Sequence, residues 1–251
     1  MRLGIVFMPL FVLVAACGGG PPPPSDPGTL LLRAKTHVGM PSPKPALLPE
    51  FSLYGGGRLL VPGESEGALQ VVREKHLDDE AARSVYDAAY DADLDRDEYV
   101  PNDVIDGYLL VFTLYGGHQV RASTPERESG GRLEELADFR EDLAEVAKGA
   151  TEAAGTYRPT RLAAIAWASS QHPETSDVRP WPFAPFTGTR HVDGGLCVVV
   201  EGEAVREAEK LARSATAGTR WRTAETTWLV VFRPLLPDEK SCADLVVPPQ
   251  G

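Results

Sequence analysis

The most restrictive feature of this sequence is a cysteine at the end of a short apolar run. Arg2 is followed by a mostly apolar stretch from Leu3 to Val14 and then by Ala15-Ala16-Cys17. These are the charged start, greasy middle and small-residue cleavage site of an exported chain. The run falls short of the about 20 residues that a bilayer-spanning helix needs. Val14-Ala15-Ala16-Cys17 also fits the bacterial lipobox, an aliphatic residue and two small ones before a cysteine that takes diacylglycerol on its sulfur. An ordinary cleaved signal peptide that happens to hold a cysteine is the plainer alternative. On the lipobox reading, residues 1–16 are a signal peptide and the mature chain runs from Cys17 to Gly251. Residues 17–28 are then the lipidated Cys and a Gly/Pro-rich tether, and the fold belongs to residues 29–251.

Charge limits the partners of such a chain. Lys and Arg total 25 against 36 Asp and Glu, a net −11. Removing residues 1–16 takes away Arg2 and no acid, which leaves 24 bases against 36 acids, a net −12. That balance repels phosphate backbones and anionic headgroups alike, so nucleic acid is excluded as a partner. Membrane attachment then rests on diacylglycerol at Cys17, and stable anchoring takes more than one acyl chain. The expected address is extracytoplasmic, lipid-anchored to the cell membrane. Pro21-Pro22-Pro23-Pro24 and Pro27 predict a stiff spacer with a stand-off of roughly 30 Å.

Export also sets the redox reading. With Cys17 taken by lipid, Cys197 and Cys242 remain as an even pair in an oxidising compartment, where a disulfide is the default. In the chain-entropy model such a bridge stabilises the fold by roughly 3 to 4 kcal/mol. A free catalytic thiol is the rival. Cys197 lies within Leu196-Cys197-Val198-Val199-Val200, a setting that suits a buried structural sulfur.

The folded part reads as α+β. Thr29–Thr36 is a first strand. Phe51–Tyr54 and Arg58–Val61 form a hairpin about Gly55-Gly56-Gly57, and Leu69–Arg73 is a further strand. Asp78 is a plausible N-cap for a helix over 79–93, with Ala82, Val85, Ala89 and Ala92 at helical spacing. Tyr108–Thr113 and His118–Ala122 form a second hairpin. Leu133, Leu136, Phe139, Leu143 and Val146 mark a second helix that closes near Gly149. The remainder predicts strands at Leu162–Ala168, Leu196–Val200 and Thr227–Arg233, with a helix over 203–217. The expectation is two lobes, 29–149 and 150–251, of mainly antiparallel sheet with helices packed on one face. One continuous sheet shared by both lobes is an open variant.

Two segments carry a resemblance. Leu48-Pro49-Glu50-Phe51-Ser52-Leu53-Tyr54-Gly55-Gly56-Gly57-Arg58 and Phe232-Arg233-Pro234-Leu235-Leu236-Pro237-Asp238-Glu239, with Cys242, resemble an uncharacterised lipoprotein family of high-GC bacteria, mainly actinobacteria. In that family a pattern like P-E-F-x-L-Y-G-D-G opens the first lobe and one like R-P-L-L-P-D-E closes the second. Gly56 stands where the pattern has Asp. The first lobe also resembles a small exported domain with a T-I-Y-G-D-G-type hairpin. The resemblance implies an address and an architecture, and it brings no activity and no catalytic residues. The predominance of Arg, 19 against 6 Lys, agrees with a GC-rich source.

Chemistry-bearing patterns are sparse. Asp91, Asp93, Asp95 and Asp97 alternate as calcium ligands do, but the position-6 Gly and position-12 Glu of an EF-hand are absent. A solvated acidic loop is the ordinary reading, with weak divalent-cation binding as its rival. His37, His76, His118, His172 and His191 each stand alone, without metal-ligand spacing. No G-x-S-x-G, S-x-x-K, P-loop or G-x-G-x-x-G occurs. Glu134, Glu135, Asp138, Glu141, Asp142 and Glu145 read as a helix's wet face. Trp181, Trp221 and Trp228 with Phe183 and Phe186 read as packing before they read as a ligand groove. No cofactor is implied. The function expected is a non-enzymatic binding or interaction module of the cell envelope, for an envelope protein or small ligand. The alternatives are an envelope hydrolase using His118 or His191 with acids gathered by folding, and a weak cation binder.

Overall fold

The computed structural model describes residues 20–38, 47–104, 107–126, 129–169, 177–186, 195–216, 218–224 and 226–246. Cys17 and the signal segment lie outside them, as do His172 and His191. The fold is α+β, with three α-helices and two mainly antiparallel sheets among the described residues. Among the described residues, no helix is long and apolar enough to cross a membrane.

The first sheet has eight strands in the order β5-β7-β6-β1-β2-β3-β4-β8. These are β1 (Leu30–Val38), β2 (Phe51–Tyr54), β3 (Arg58–Pro62), β4 (Val72–His76), β5 (Glu98–Val100), β6 (Tyr108–Leu114), β7 (Gln119–Ser123) and β8 (Thr151–Thr156). Strand alternation separates two faces. Leu32, Ala34, Phe51, Leu53, Leu59 and Val61 pack under α1 (Asp79–Asp91) and α2 (Gly131–Gly149). Arg33, Ser52, Tyr54, Arg58 and Leu60, the intervening residues, face away from the helices. Asp78 caps α1 as its sequence predicts, its carboxylate accepting from Ala81 N at 2.8 Å. The β2–β3 turn needs its glycines. Gly56 and Gly57 have φ of 66° and 71°, and a Cβ on Gly57 would lie 2.0 Å from the Leu77 carbonyl, whose own amide bonds Gly57 O.

The second sheet has the order β10-β12-β13-β9-β11, from β9 (Arg161–Ala168), β10 (Val178–Pro180), β11 (Leu196–Glu201), β12 (Arg220–Thr223) and β13 (Thr226–Pro234). Helix α3 (Ala204–Ser214) covers Leu162, Ala164, Ala166, Val200, Val230 and Phe232. The opposite face, with Ala163, Ile165 and Cys197, lies under Leu47, Leu235 and Leu245. Cys197 and Cys242 are disulfide-bonded, which holds this covering segment onto β11.

Three features refine the sequence reading. The two sheets are distinct, and a short bridge joins them: Leu69 pairs in parallel with Phe232. The first sheet also runs past the 149/150 division, because β8 pairs with β4. Its sequence, Thr-Glu-Ala-Ala-Gly-Thr, carries no apolar alternation to announce an edge strand. Finally, Gly20–Gly28 is not a free spacer. The Pro24–Asp26 backbone crosses Gly55 so closely that a Cβ there would lie 2.3 Å from Asp26 O and 2.7 Å from Pro24 O.

Candidate functional site

The residues singled out in the sequence do not gather. Asp93 pairs with Arg96 at 3.1 Å, and Asp97 accepts from Gln119 N at 2.8 Å, fastening the acidic loop to the start of β7. Among the described residues, no group of three or more His, Cys, Asp or Glu side chains is placed to hold a metal ion. His118 lies 3.9 Å from Asp97 on an open turn, beyond hydrogen-bond reach. The acids of α2 are exposed, as their positions predict. Trp181, Phe186 and Trp221 are buried in the second core with Phe183 and Trp228 packed against it, so the aromatic set is packing.

What does converge is a polar seam between the two sheets, where Tyr54 of the first resembling segment and Arg233, Asp238 and Glu239 of the second meet Arg33, Leu47 and Tyr157. Arg233 ends β13 with its side chain wholly buried. Its guanidinium donates from Nη1 and Nη2 to the Glu239 carboxylate at 2.6 and 2.8 Å, and from Nε to Leu47 O at 3.0 Å. Glu239 Oε2 also accepts from Leu236 N at 2.8 Å. Beside it, Asp238 Oδ1 accepts from Arg33 Nη2 and from the Tyr54 hydroxyl, both at 2.7 Å, and Arg33 lies 3.6 Å from Glu239. Tyr157, on the connection between sheets, donates to Leu235 O at 2.9 Å, with Arg58 over its ring.

Electrostatics follows from burial and pairing. Burial pushes the Glu239 carboxyl up, but Arg233 and Arg33 and the Leu236 amide outweigh it and hold it at about 2. Burial would lower the Arg33 guanidinium, and Tyr54, Glu239 and Asp238 raise it instead. Burial drives the Tyr54 phenol well above its ordinary value against the pull of Arg33. Each charged side chain of the seam is turned toward one of opposite sign. One signal in the sequence could have exposed this cluster. An arginine directly after Val230-Val231-Phe232, in an apolar strand, must find a carboxylate, and Asp238 and Glu239 are the nearest acids along the chain.

Behind the seam, the connection Thr156–Pro159 and helix α3 enclose a groove of about 470 Å³. Arg158, Arg206, Arg213, Glu209 and Val205 line it. Arg213 is held by Glu66 at 2.5 Å. Arg158 and Arg206 carry no ion pair among the described residues. In a chain of net −11 this is a locally cationic concavity, with the chemistry to receive a carboxylate or phosphate group. No family model, curated protein or solved structure matches the chain.

Proposed function

We propose that this chain is a membrane-anchored extracytoplasmic lipoprotein, a non-enzymatic binding module that receives an anionic group of another envelope component in the groove beside α3. The observation that carries the reading is the division of labour among its charges. The segments that resemble exported lipoproteins meet in a closed, mutually neutralised seam, which fixes the two lobes. Arg158 and Arg206, exposed and without an ion pair among the described residues, both line the groove. The Cys197–Cys242 bond supports the oxidising address that the Val14–Cys17 pattern predicts.

The test is crosslinking and pulldown of the full precursor expressed in cells, with Cys17→Ser and the double substitution Arg158→Glu/Arg206→Glu beside it. Acyl labelling should be present in the wild type and absent in Cys17→Ser. The partner recovered with the wild type should be lost on charge reversal while the melting temperature stays unchanged. An unlabelled wild type overturns the anchor. A partner retained by the charge-reversed protein overturns the groove.

A further inference from the structure

The segment beyond the anchor is built into the folded body at one end of the first sheet. Leu30 lies opposite Tyr54, Tyr54 opposite Arg58, Arg58 opposite His76 and His76 opposite Thr151, so these residues share one sheet end. There Gly55 N donates to Thr29 O at 3.0 Å, and Thr29 N donates to Asp26 O at 3.0 Å. Thr29 Oγ1 donates to Asp26 Oδ2 at 2.8 Å. Farther along, Gly20 lies against Tyr90, so close that a Cβ would be 2.5 Å from the ring. Tyr90 in turn stacks edge-on with Tyr86, centroids 5.1 Å apart. Tyr115 is at the same sheet end, its amide bonded to Leu31 O at 2.8 Å, and its side chain is 43% exposed.

The reach of the chain then decides the geometry. Two residues, Gly18 and Gly19, separate Gly20 from Cys17, three steps that span roughly 10 Å at full extension. That is comparable to the interfacial layer of one leaflet, about 5–8 Å from the difference between core and total bilayer thickness. A chain held by lipid at Cys17 cannot stand off the bilayer on its proline run, because that run is packed on the body.

We infer that the end of the first lobe where α1 finishes beside Gly20 at Tyr90 and the β6–β7 turn begins at Tyr115 rests on the lipid headgroups of the membrane that holds Cys17, an inference that rests on the anchor proposed above. Tyr115 suits that depth, with an exposed apolar ring and a polar tip, while Tyr90, half-buried with its hydroxyl bonded to that of Tyr86, marks where Gly20 meets the body. The exposed Asp97 carboxylate, fastened to Gln119 N at the start of β7, disfavours anionic lipid and fits the ammonium of a zwitterionic headgroup. The groove lies at the other end. Thr156 closes β8 away from Thr151, about 20 Å along a six-residue strand, so the first lobe itself serves as the spacer and presents Arg158 and Arg206 outward.

The experiment uses the full lipoprotein purified from cell membranes, labelled with 3-fluorotyrosine and reconstituted in phosphatidylethanolamine/phosphatidylcholine vesicles containing a headgroup nitroxide lipid. Tyr90→Phe, Tyr115→Phe and Tyr157→Phe assign the fluorine resonances. The Tyr90 and Tyr115 signals should broaden several-fold more than that of Tyr157. Equal broadening, with acyl mass present on the protein, overturns the orientation and leaves the anchor standing. Absence of acyl mass overturns both. The unacylated Cys17→Ser protein added to the same vesicles should show no broadening.

Discussion

Arg233 and Glu239 face each other through two parallel hydrogen bonds, 2.6 and 2.8 Å long, with both side chains almost wholly out of water. Glu239 is also the point where the second lobe's covering segment meets Arg33 of β1. Removing one member of such a pair strands a buried charge, at a cost of about 3–5 kcal/mol. Glu239→Ala should therefore lower the urea midpoint steeply, and Arg233→Met/Glu239→Leu should recover much of the loss. A double-mutant cycle by chemical denaturation measures both. A Glu239→Ala change no larger than that of an exposed glutamate such as Glu134 would show that the seam does not hold the lobes.

The seam makes stability depend on pH from both sides. Glu239 is held at about 2 in the folded protein, below its unfolded value of about 4.3. Its contribution is complete above the unfolded value and is lost as pH falls through about 2. Tyr54 and Tyr157 go the other way. Burial raises both, Tyr157 to about 12, so their contribution is complete below about pH 10 and is lost as pH rises through the folded values. Urea midpoints measured across pH should fall at both extremes. Tyr54→Phe should flatten the alkaline limb while costing about 1–2 kcal/mol near neutrality, from the lost hydrogen bonds to Asp238 and Arg33.

Gly56 and Gly57 have nearly the same positive φ and should respond differently to a side chain. A Cβ on Gly57 would be 2.0 Å from the Leu77 carbonyl, whereas on Gly56 the nearest atom is Ser25 O at 3.4 Å. Gly56→Asp, which installs the residue of the resembling pattern, should cost no more than about 1 kcal/mol, because Asp tolerates the left-handed region. Gly57→Ala carries the same conformational strain plus displacement of backbone, and should lower the melting temperature much further. Thermal denaturation of the two variants compares them. Equal losses would mean that φ alone governs this turn.

These three sets of residues also mark how much of the fold is legible in the sequence. Elements with their own periodicity, such as α1 with its Asp78 cap and the β2–β3 hairpin, are local, and their patterns predict them. The apolar pattern puts a strand at Leu69–Arg73, whereas β4 lies at Val72–His76, because Leu69 serves instead as a bridge to Phe232. Strands β5, β8, β10 and β12 are short or lie away from the sheet centres and lack alternation, so nothing in their composition separates them from loops. The Arg33–Asp238 pair joins residues 205 apart, and no local pattern encodes such a pairing. The docking of Gly20–Gly28 escapes a sequence reading for a related reason. Composition reports the stiffness of a proline run, while a contact with Tyr90 and Gly55 is tertiary.

The disulfide provides the test of whether the lobes form one cooperative unit. It joins Cys197 of β11 to Cys242 across 45 residues, a closed loop worth about 4 kcal/mol in the chain-entropy model. The covering segment between Pro234 and Cys242 is fixed at one end by this bond and at the other by Arg233 and Glu239. In the Cys197→Ala/Cys242→Ala variant, hydrogen exchange should accelerate most in β11 and in the Leu235–Leu245 segment. Strands β1–β3 are protected by their own core under α1 and α2 and should exchange at their original rates while the seam stays closed. Equal acceleration in both sheets would mean that the lobes unfold together and that the seam transmits the loss. Adding Glu239→Ala to the disulfide-free chain separates the two cases: independent lobes give additive losses, and a single cooperative unit gives coupling between sites that share the covering segment.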